Sequence, residues 1–463
     1  MAERLPGRRD LPPQGAVIHL LGAAGAGMRG IAHVLADGGW TVSASDRDAA
    51  AAAELAALGV RVAPESDFAP VRAASLVVYS SALAPDHPAL EAAASAGVPT
   101  WKRARALGAL VNDRRLVAVA GTHGKTTVSA MLALTLEAAG RDPLAFVGGR
   151  VPAWDGNARP GRGREAVVEA DEYDRSFLEL DPSLAVVTSV EPEHVESYGD
   201  EEGLRDAFAR FAERAAGRDG LLVCVDDAGA RDTGRRVGAS LGYGLGAAAD
   251  YRVEVVATAS DGQTCRLAGP DGSFAFELGV PGDHNAQNAA GALAAALRLG
   301  VDPRTAAEAL REFRGVARRL QLLARRRDVV VIDDYAHHPT EVRASIAALR
   351  RAWPGARLVV VFQPHLFSRT RAMATEFGRA LADADVALVL PVYPAREEPI
   401  PGVDASLVVA SAPGHVRLGS TEEAVRVPVE SSGDTVVAFM GAGDVTAVAS
   451  RAARELVGDA LGA

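Results

Sequence analysis

The chain has 463 residues, 48% of them hydrophobic, enough to bury several cores and to divide into about three domains of ordinary size. Its net charge of -10 lacks the basic footprint of a nucleic-acid binder, and no apolar run approaches the ~18 residues of a membrane span. Two distant cysteines, Cys224 and Cys265, offer neither a disulfide framework nor a metal-ligand spacing, and no apolar h-region follows Arg4, Arg8 and Arg9, so the expected compartment is the cytoplasm.

Ala16 to Leu21 reads as a strand, followed by a glycine-rich turn in which Gly25, Gly27 and Gly30 satisfy G-x-G-x-x-G, then a helix from Ile31 to Asp37. A second strand, Trp40 to Ser45, ends at Asp46. This is the order of a dinucleotide-binding unit, and the same helix terminus can equally hold the diphosphate of another nucleotide. Ala74 to Ser80 is a further strand whose end offers the Ser80 and Ser81 hydroxyls to a ligand or to an ordinary turn. Asn112 to Arg115 reads as a linker.

Leu116 to Gly140 carries the sharpest local signal. The apolar run Leu116 to Ala120 reads as a buried parallel strand, it breaks at Gly121, Thr122, His123 and Gly124, and Lys125, Thr126 and Thr127 open a helix. Glycines let successive N-H groups face one anion, the helix start adds partial positive charge, Lys125 adds a full one, and the Thr126 hydroxyl can reach Mg2+. The loop is shorter than the usual G-x-x-x-x-G-K-[ST], yet strand and helix flank it as a phosphate loop requires, so ATP or GTP is the expected ligand.

The Gly, Pro and Arg content of 148–164 reads as a mobile loop. Two strands follow, Ala166 to Ala170 running into Asp171-Glu172, and Ser183 to Val190 running into Glu191-Pro192-Glu193-His194. In a parallel sheet these ends converge on the phosphate-loop edge, which gives Glu169, Asp171, Glu172, Glu193 and His194 a reason to surround the phosphates and hold Mg2+. Gly244 to Gly279 suggests short antiparallel strands, and an Ala-rich helix then opens with Asn285 and Asn288 on one face, where they can read a purine edge or simply cap the helix. Val316 to Leu320 resembles a hinge into a third βα array, in which Asp328 to Asp334 ends in Tyr335, His337 and His338, and Arg357 to Phe362 delivers His365, Arg369 and Arg371.

In order and spacing, GTHGKTT, VEADEYDRSF, EPEHVESYGD, PGDHNAQNAA, DDYAHHPTEV, FQPHLFSRTR and EEPIPG resemble the Mur ligases over nearly the whole chain. The resemblance implies an α/β fold in three domains: 1–112, Rossmann-like, for a UDP sugar; 113–317, a mostly parallel P-loop ATPase; and 318–463, Rossmann-like, for an amino acid. It implies ATP-dependent joining of L-alanine to UDP-N-acetylmuramate through an acyl phosphate, with Mg2+, in a cytoplasmic monomer or weak homodimer. Residue by residue, it gives Lys125, Glu169 and His194 to catalysis, with Thr126, Glu169 and His194 as metal ligands. ATP falls to Gly121 through Thr127, Asn285, Asn288, Arg319 and Asp334. The UDP sugar falls to Gly22, Gly25, Gly27, Asp46, Ser80 and Ser81, and L-alanine to Tyr335, His337 and Arg369. Leu366 stands where many relatives carry an arginine, and Val195 to Gly203 lacks the lysine of the carbamylated branch. The rivals are a murein tripeptide ligase, a NAD-dependent oxidoreductase on the first glycine turn, and a non-catalytic nucleotide-binding regulator.

Overall fold

The computed structural model describes residues 4–193, 197–270, 272–395 and 397–458. Among them the strands form three sheets, of five, ten and six strands. The first is built from β1 (Val17–Leu21), β2 (Thr41–Ser45), β3 (Arg61–Ala63), β4 (Leu76–Tyr79) and β5 (Thr100–Lys102), all parallel, in the order β3-β2-β1-β4-β5. The order reverses beside β1, which is where a doubly wound sheet opens a crevice at its carboxyl edge.

The second sheet contains β6 (Arg115–Ala120), β7 (Leu144–Val151), β8 (Gly156–Pro160), β9 (Glu165–Glu169), β10 (Leu184–Val187), β11 (Gly220–Cys224), β12 (Leu241–Gly244), β13 (Tyr251–Ala259), β14 (Gly262–Gly269) and β15 (Gly272–Leu278). Its order is β15-β14-β13-β12-β11-β10-β6-β9-β7-β8, with β6 parallel to both β9 and β10. Leu116 through Ala120 are fully buried, as an apolar run covered on both faces requires. Each such Leu or Val contributes roughly 1.5–3 kcal/mol on burial, which holds β6 in the interior of the sheet.

The third sheet holds β16 (Gln321–Arg326), β17 (Val329–Asp334), β18 (Arg357–Phe362), β19 (Val386–Val389), β20 (Val416–Leu418) and β21 (Thr435–Met440), in the order β16-β17-β21-β18-β19-β20, with only β16 antiparallel to its neighbour. Asp334, Met440 and Phe362 stand in register, so the segments after β17, β21 and β18 leave one edge together. By contact density the chain forms two compact units. One comprises the residues up to Glu254 with Arg266–Phe276 and Gln287–Glu312; the other comprises Val255–Cys265, Glu277–Ala286 and the chain from Phe313 onward.

Two expectations need correction. Residues 148–160 are not a loop, while 161–164 lie outside regular structure: Leu144 to Phe146 pair antiparallel with Pro160 to Ala158, and Val151 pairs with Gly156. Arg159 explains why an apparently loop-like composition becomes an edge strand, because its guanidinium is held by Glu137 at 3.1 Å and Asp142 at 2.7 Å. The first helix also starts earlier than Ile31, at Ala26, so Gly27 and Gly30 lie inside it. Gly30 is there for packing, since a methyl on it would sit 3.2 Å from both Ala158 Cβ and Phe146 Cδ1.

Candidate active site

The loop 121–124 leaves the carboxyl end of β6 and is fastened to the segment after β10. Thr122 N donates to Ser189 O at 2.9 Å, His123 N to Ser189 Oγ at 2.9 Å, and Glu191 N to Thr122 Oγ1 at 2.8 Å. Gly121 and Gly124 take φ of +141° and +83°, which only glycine adopts without strain. A methyl on Gly124 would lie 2.5 Å from Asn288 Oδ1, so the loop is also wedged against that asparagine. Thr188 Oγ1 donates to His123 O as well, and sequence reasoning gives no hint of Thr188 or Ser189 as loop anchors, because their partners lie in a loop far away along the chain.

Lys125, Thr126 and Thr127 form the first turn of the helix Lys125–Ala138. Thr126 Oγ1 donates to Glu169 Oε1 at 2.9 Å, and Gly148 N donates to the other Glu169 oxygen. Two hard oxygen donors thus meet where β6 and β9 end, the donor chemistry that suits Mg2+. His194, expected to join them, lies outside the described residues. Lys125 Nζ lies 2.8 Å from Glu172 Oε2 and 3.2 Å from Thr122 O, and it donates to Gly121 O as well.

This buried pair is asymmetric. Burial opposes the Lys125 ammonium, but the carboxylates of Glu172, Glu169 and Asp171 outweigh it and hold the lysine charged, above its ordinary range. Glu172 is pushed up to about 7 by burial, because Lys125 offsets only part of that cost and Asp171 adds to it. Glu172 stood among the acids expected near the phosphates; its specific role as the partner of Lys125 was missed, since an acidic run does not say which carboxylate turns inward.

The first glycine turn is compact. Gly22 has φ of +69°, and a methyl on it would meet Leu83 Cδ1 at 2.6 Å and Ser80 Cβ at 3.1 Å. Asp46 Oδ2 accepts from Ala24 N at 2.7 Å, so this carboxylate shapes the turn from the end of β2. Gly25 caps the helix Ala26–Asp37, and Gly27 packs against Arg103, whose Nη1 would be 3.1 Å from a methyl there. Ser80 Oγ accepts from Ala82 N at 3.3 Å. Ser81 lines a cleft of about 270 Å3 with Lys102, Arg103, Asp174 and Arg175. Nothing in the sequence singled out Arg103, whose partner Asp171 is remote along the chain.

In the other compact unit, Tyr335 follows β17 and donates its N-H to Arg318 O at 2.6 Å. The guanidinium carbons of Arg318 and Arg319 lie 4.6 and 5.2 Å from its ring centroid. His337 Nδ1 is 3.2 Å from Glu341 Oε2, and the rings of Tyr335, His337, His365 and Tyr393 follow one another at 5.1, 6.0 and 5.7 Å. Asp334, the last residue of β17, is buried and bonded by the Ser345 hydroxyl, and burial pushes its carboxyl up to about 6. Asn285 is likewise buried and spends an amide proton on Pro281 O at 2.7 Å. Arg369 lies half-buried in the first turn of the helix Phe367–Leu381.

Three family models match the chain: the Mur ligase family catalytic domain over 17–115, the Mur ligase middle domain over 119–296, and the Mur ligase glutamate ligase domain over 318–443. The chain is 44% identical to the UDP-N-acetylmuramate--L-alanine ligase of Paenarthrobacter aurescens, covering 93% of this chain and 95% of that protein. It is 41% identical to the enzyme of the same name from Streptomyces coelicolor, covering 98% and 100%. Among solved structures it is similar to the UDP-N-acetylmuramate-alanine ligase of Thermotoga maritima, with a TM-score of 0.79 at 26% identity over 96% of this chain and 99% of that one. A murein peptide ligase from Psychrobacter arcticus shares the fold, with a TM-score of 0.68 at 22% identity over 96% and 98%.

Proposed function

Since the chain belongs to the Mur ligase family, we propose that it joins L-alanine to UDP-N-acetylmuramate, driven by ATP, giving UDP-N-acetylmuramoyl-L-alanine, ADP and phosphate for peptidoglycan precursor synthesis. The observation that carries this reading is the grouping of a charged Lys125, the Thr126 hydroxyl and Glu169 at the start of one helix. Such a group is built to receive a triphosphate. The working parts divide as 1–112 for the UDP sugar, 113–317 for ATP and 318–463 for alanine, in a cytoplasmic monomer or weak homodimer.

Lys125 and the loop N-H groups from Gly121 to Thr127 bind and orient the phosphates, with Asn285 and Asn288 on adenine and Arg319 and Asp334 on phosphate and ribose. Charge accumulates as the lactyl carboxylate of the sugar meets the γ-phosphate, and the fixed ammonium offsets it. Thr126, Glu169 and His194 would hold Mg2+, which when bound neutralises phosphate charge. Gly22, Gly25, Gly27, Asp46, Ser80 and Ser81 seat the UDP sugar. Tyr335, His337 and Arg369 hold L-alanine so that its amine meets the acyl phosphate, the guanidinium pairing with its carboxylate. The test is phosphate release from ATP and Mg2+ with UDP-N-acetylmuramate, with and without L-alanine, glycine, L-serine or the murein tripeptide. Release that needs the sugar nucleotide and L-alanine together supports the proposal; release driven by the tripeptide instead, or indifferent to every acceptor, sinks it.

A further inference from the structure

Two cations in this chain stand where electrostatics disfavours them. Arg103 lies against Gly27, in the first turn of the helix Ala26–Asp37, and Lys125 opens the helix Lys125–Ala138. The first turn of a helix carries partial positive charge, so each cation requires a nearby anion. Two consecutive residues after β9 supply it. Arg103 Nη2 is 3.2 Å from Asp171 Oδ2, and Lys125 Nζ is 2.8 Å from Glu172 Oε2. Asp171 is partly exposed and Glu172 is buried, yet both leave the same short turn, which Tyr173 N fastens to Asp171 Oδ1 at 3.1 Å. Just beyond it, Asp174 and Arg175 both take left-handed backbone, with φ of +52° and +57°, and Lys102 holds Asp174 at 2.8 Å. Non-glycine residues in that conformation persist only where their surroundings fix them, so the turn is held in one shape.

We propose that Asp171 and Glu172 are resident counter-anions, Asp171 holding Arg103 at the sugar-nucleotide site and Glu172 holding Lys125 at the ATP site, each giving up its cation when a phosphate arrives. This rests on the proposed function for the identity of the two phosphate ligands. Both are positioning residues: they keep the cations aimed at the helix ends while no phosphate is present. They also compete with the ligands, and that sets their signature apart. A metal ligand or a structural prop weakens binding when removed, whereas a competitor strengthens it.

The test is calorimetric titration of the full-length chain at about pH 8.5, where both carboxyls are ionised, using UDP-N-acetylmuramate alone and ADP in EDTA, so that metal ligation does not enter. Asp171→Asn is expected to bind the sugar nucleotide about ten-fold tighter than the unaltered chain, with ADP affinity unchanged within about two-fold. Glu172→Gln is expected to bind ADP about ten-fold tighter, with the sugar nucleotide unchanged. Weaker or unchanged binding of the matched ligand in either variant overturns the assignment for that residue. If an amide variant does not fold, Asp171→Ser and Glu172→Asp carry the same test, the latter because a shorter carboxylate loses its reach to Nζ. An unaltered chain that binds ADP but no UDP-N-acetylmuramate would sink the proposed function, while the Glu172 measurement would still decide its own half on ADP alone.

Discussion

Single side chains here are tuned by what surrounds them, and two of them make measurable claims. Lys125 is held charged by three carboxylates and sits at a helix start, so under the proposed function Lys125→Ala removes a full positive charge that would face the triphosphate. Turnover should fall by about a hundred- to a thousand-fold, as when other transition-state charge partners are lost, while UDP-N-acetylmuramate binding stays within about two-fold by calorimetry. Loss of both would count against a separate sugar-nucleotide site. His19 is a different case, buried in β1 with Nδ1 at 2.8 Å from Ser43 Oγ and Nε2 at 3.2 Å from Ser45 Oγ. Burial pushes it down to about 4 from 6.5, so it folds neutral. Between those values the unfolded chain binds the proton and the folded chain does not, so stability is whole above pH 6.5 and drains away as pH falls toward 4. The gap is worth about 3 kcal/mol at its fullest. His19→Gln should therefore show a shallower fall in urea-unfolding free energy from pH 7 to pH 5; an identical slope would mean His19 does not carry that loss.

At the level of elements, the loop 121–124 shows what glycine is for. Gly124 combines a φ of +83° with Asn288 Oδ1 2.5 Å from where a methyl would go, while Gly140, at the far end of the same helix, has φ of +70° and open space. Gly140→Ala should cost about 1 kcal/mol of backbone strain alone, and Gly124→Ala about 2–3 kcal/mol with a raised KM for ATP. Equal losses in urea melts would show that the contact with Asn288 is slack. The same contrast explains what was legible in the sequence. Loop, strand and helix from Leu116 to Gly140 announce themselves because their causes are consecutive residues. The strands β7 and β8 do not, because Arg159 becomes part of an edge only through Glu137 and Asp142, which no local pattern predicts. Arg103 was invisible for a related reason: its meaning comes from Gly27 on one side and Asp171 on the other, and neither is a neighbour in sequence.

Across the whole molecule, three sheets each gather candidate residues at the carboxyl ends of their strands: Gly22 and Asp46 after β1 and β2, Lys125 and Glu172 after β6 and β9, Tyr335 and His365 after β17 and β18. If the labour divides as proposed, substitutions in the three places should fail in three separable ways. Asp46→Ala loses the acceptor that fixes Ala24 N-H in the first glycine turn, so it should raise the KM for UDP-N-acetylmuramate by about ten-fold and leave ADP affinity alone. Lys125→Ala should strike kcat. Arg369→Ala should raise the KM for L-alanine by about a hundred-fold, the loss of a charge-assisted pair with the substrate carboxylate, with ADP and sugar-nucleotide affinities unchanged. Steady-state phosphate release and calorimetry on the three proteins read all of these effects. The third variant is the most exposed to failure, because it alone tests whether the six-stranded sheet serves the amine-bearing substrate: an Arg369→Ala chain with a normal alanine KM, or with weakened ADP binding, would assign that sheet to another task.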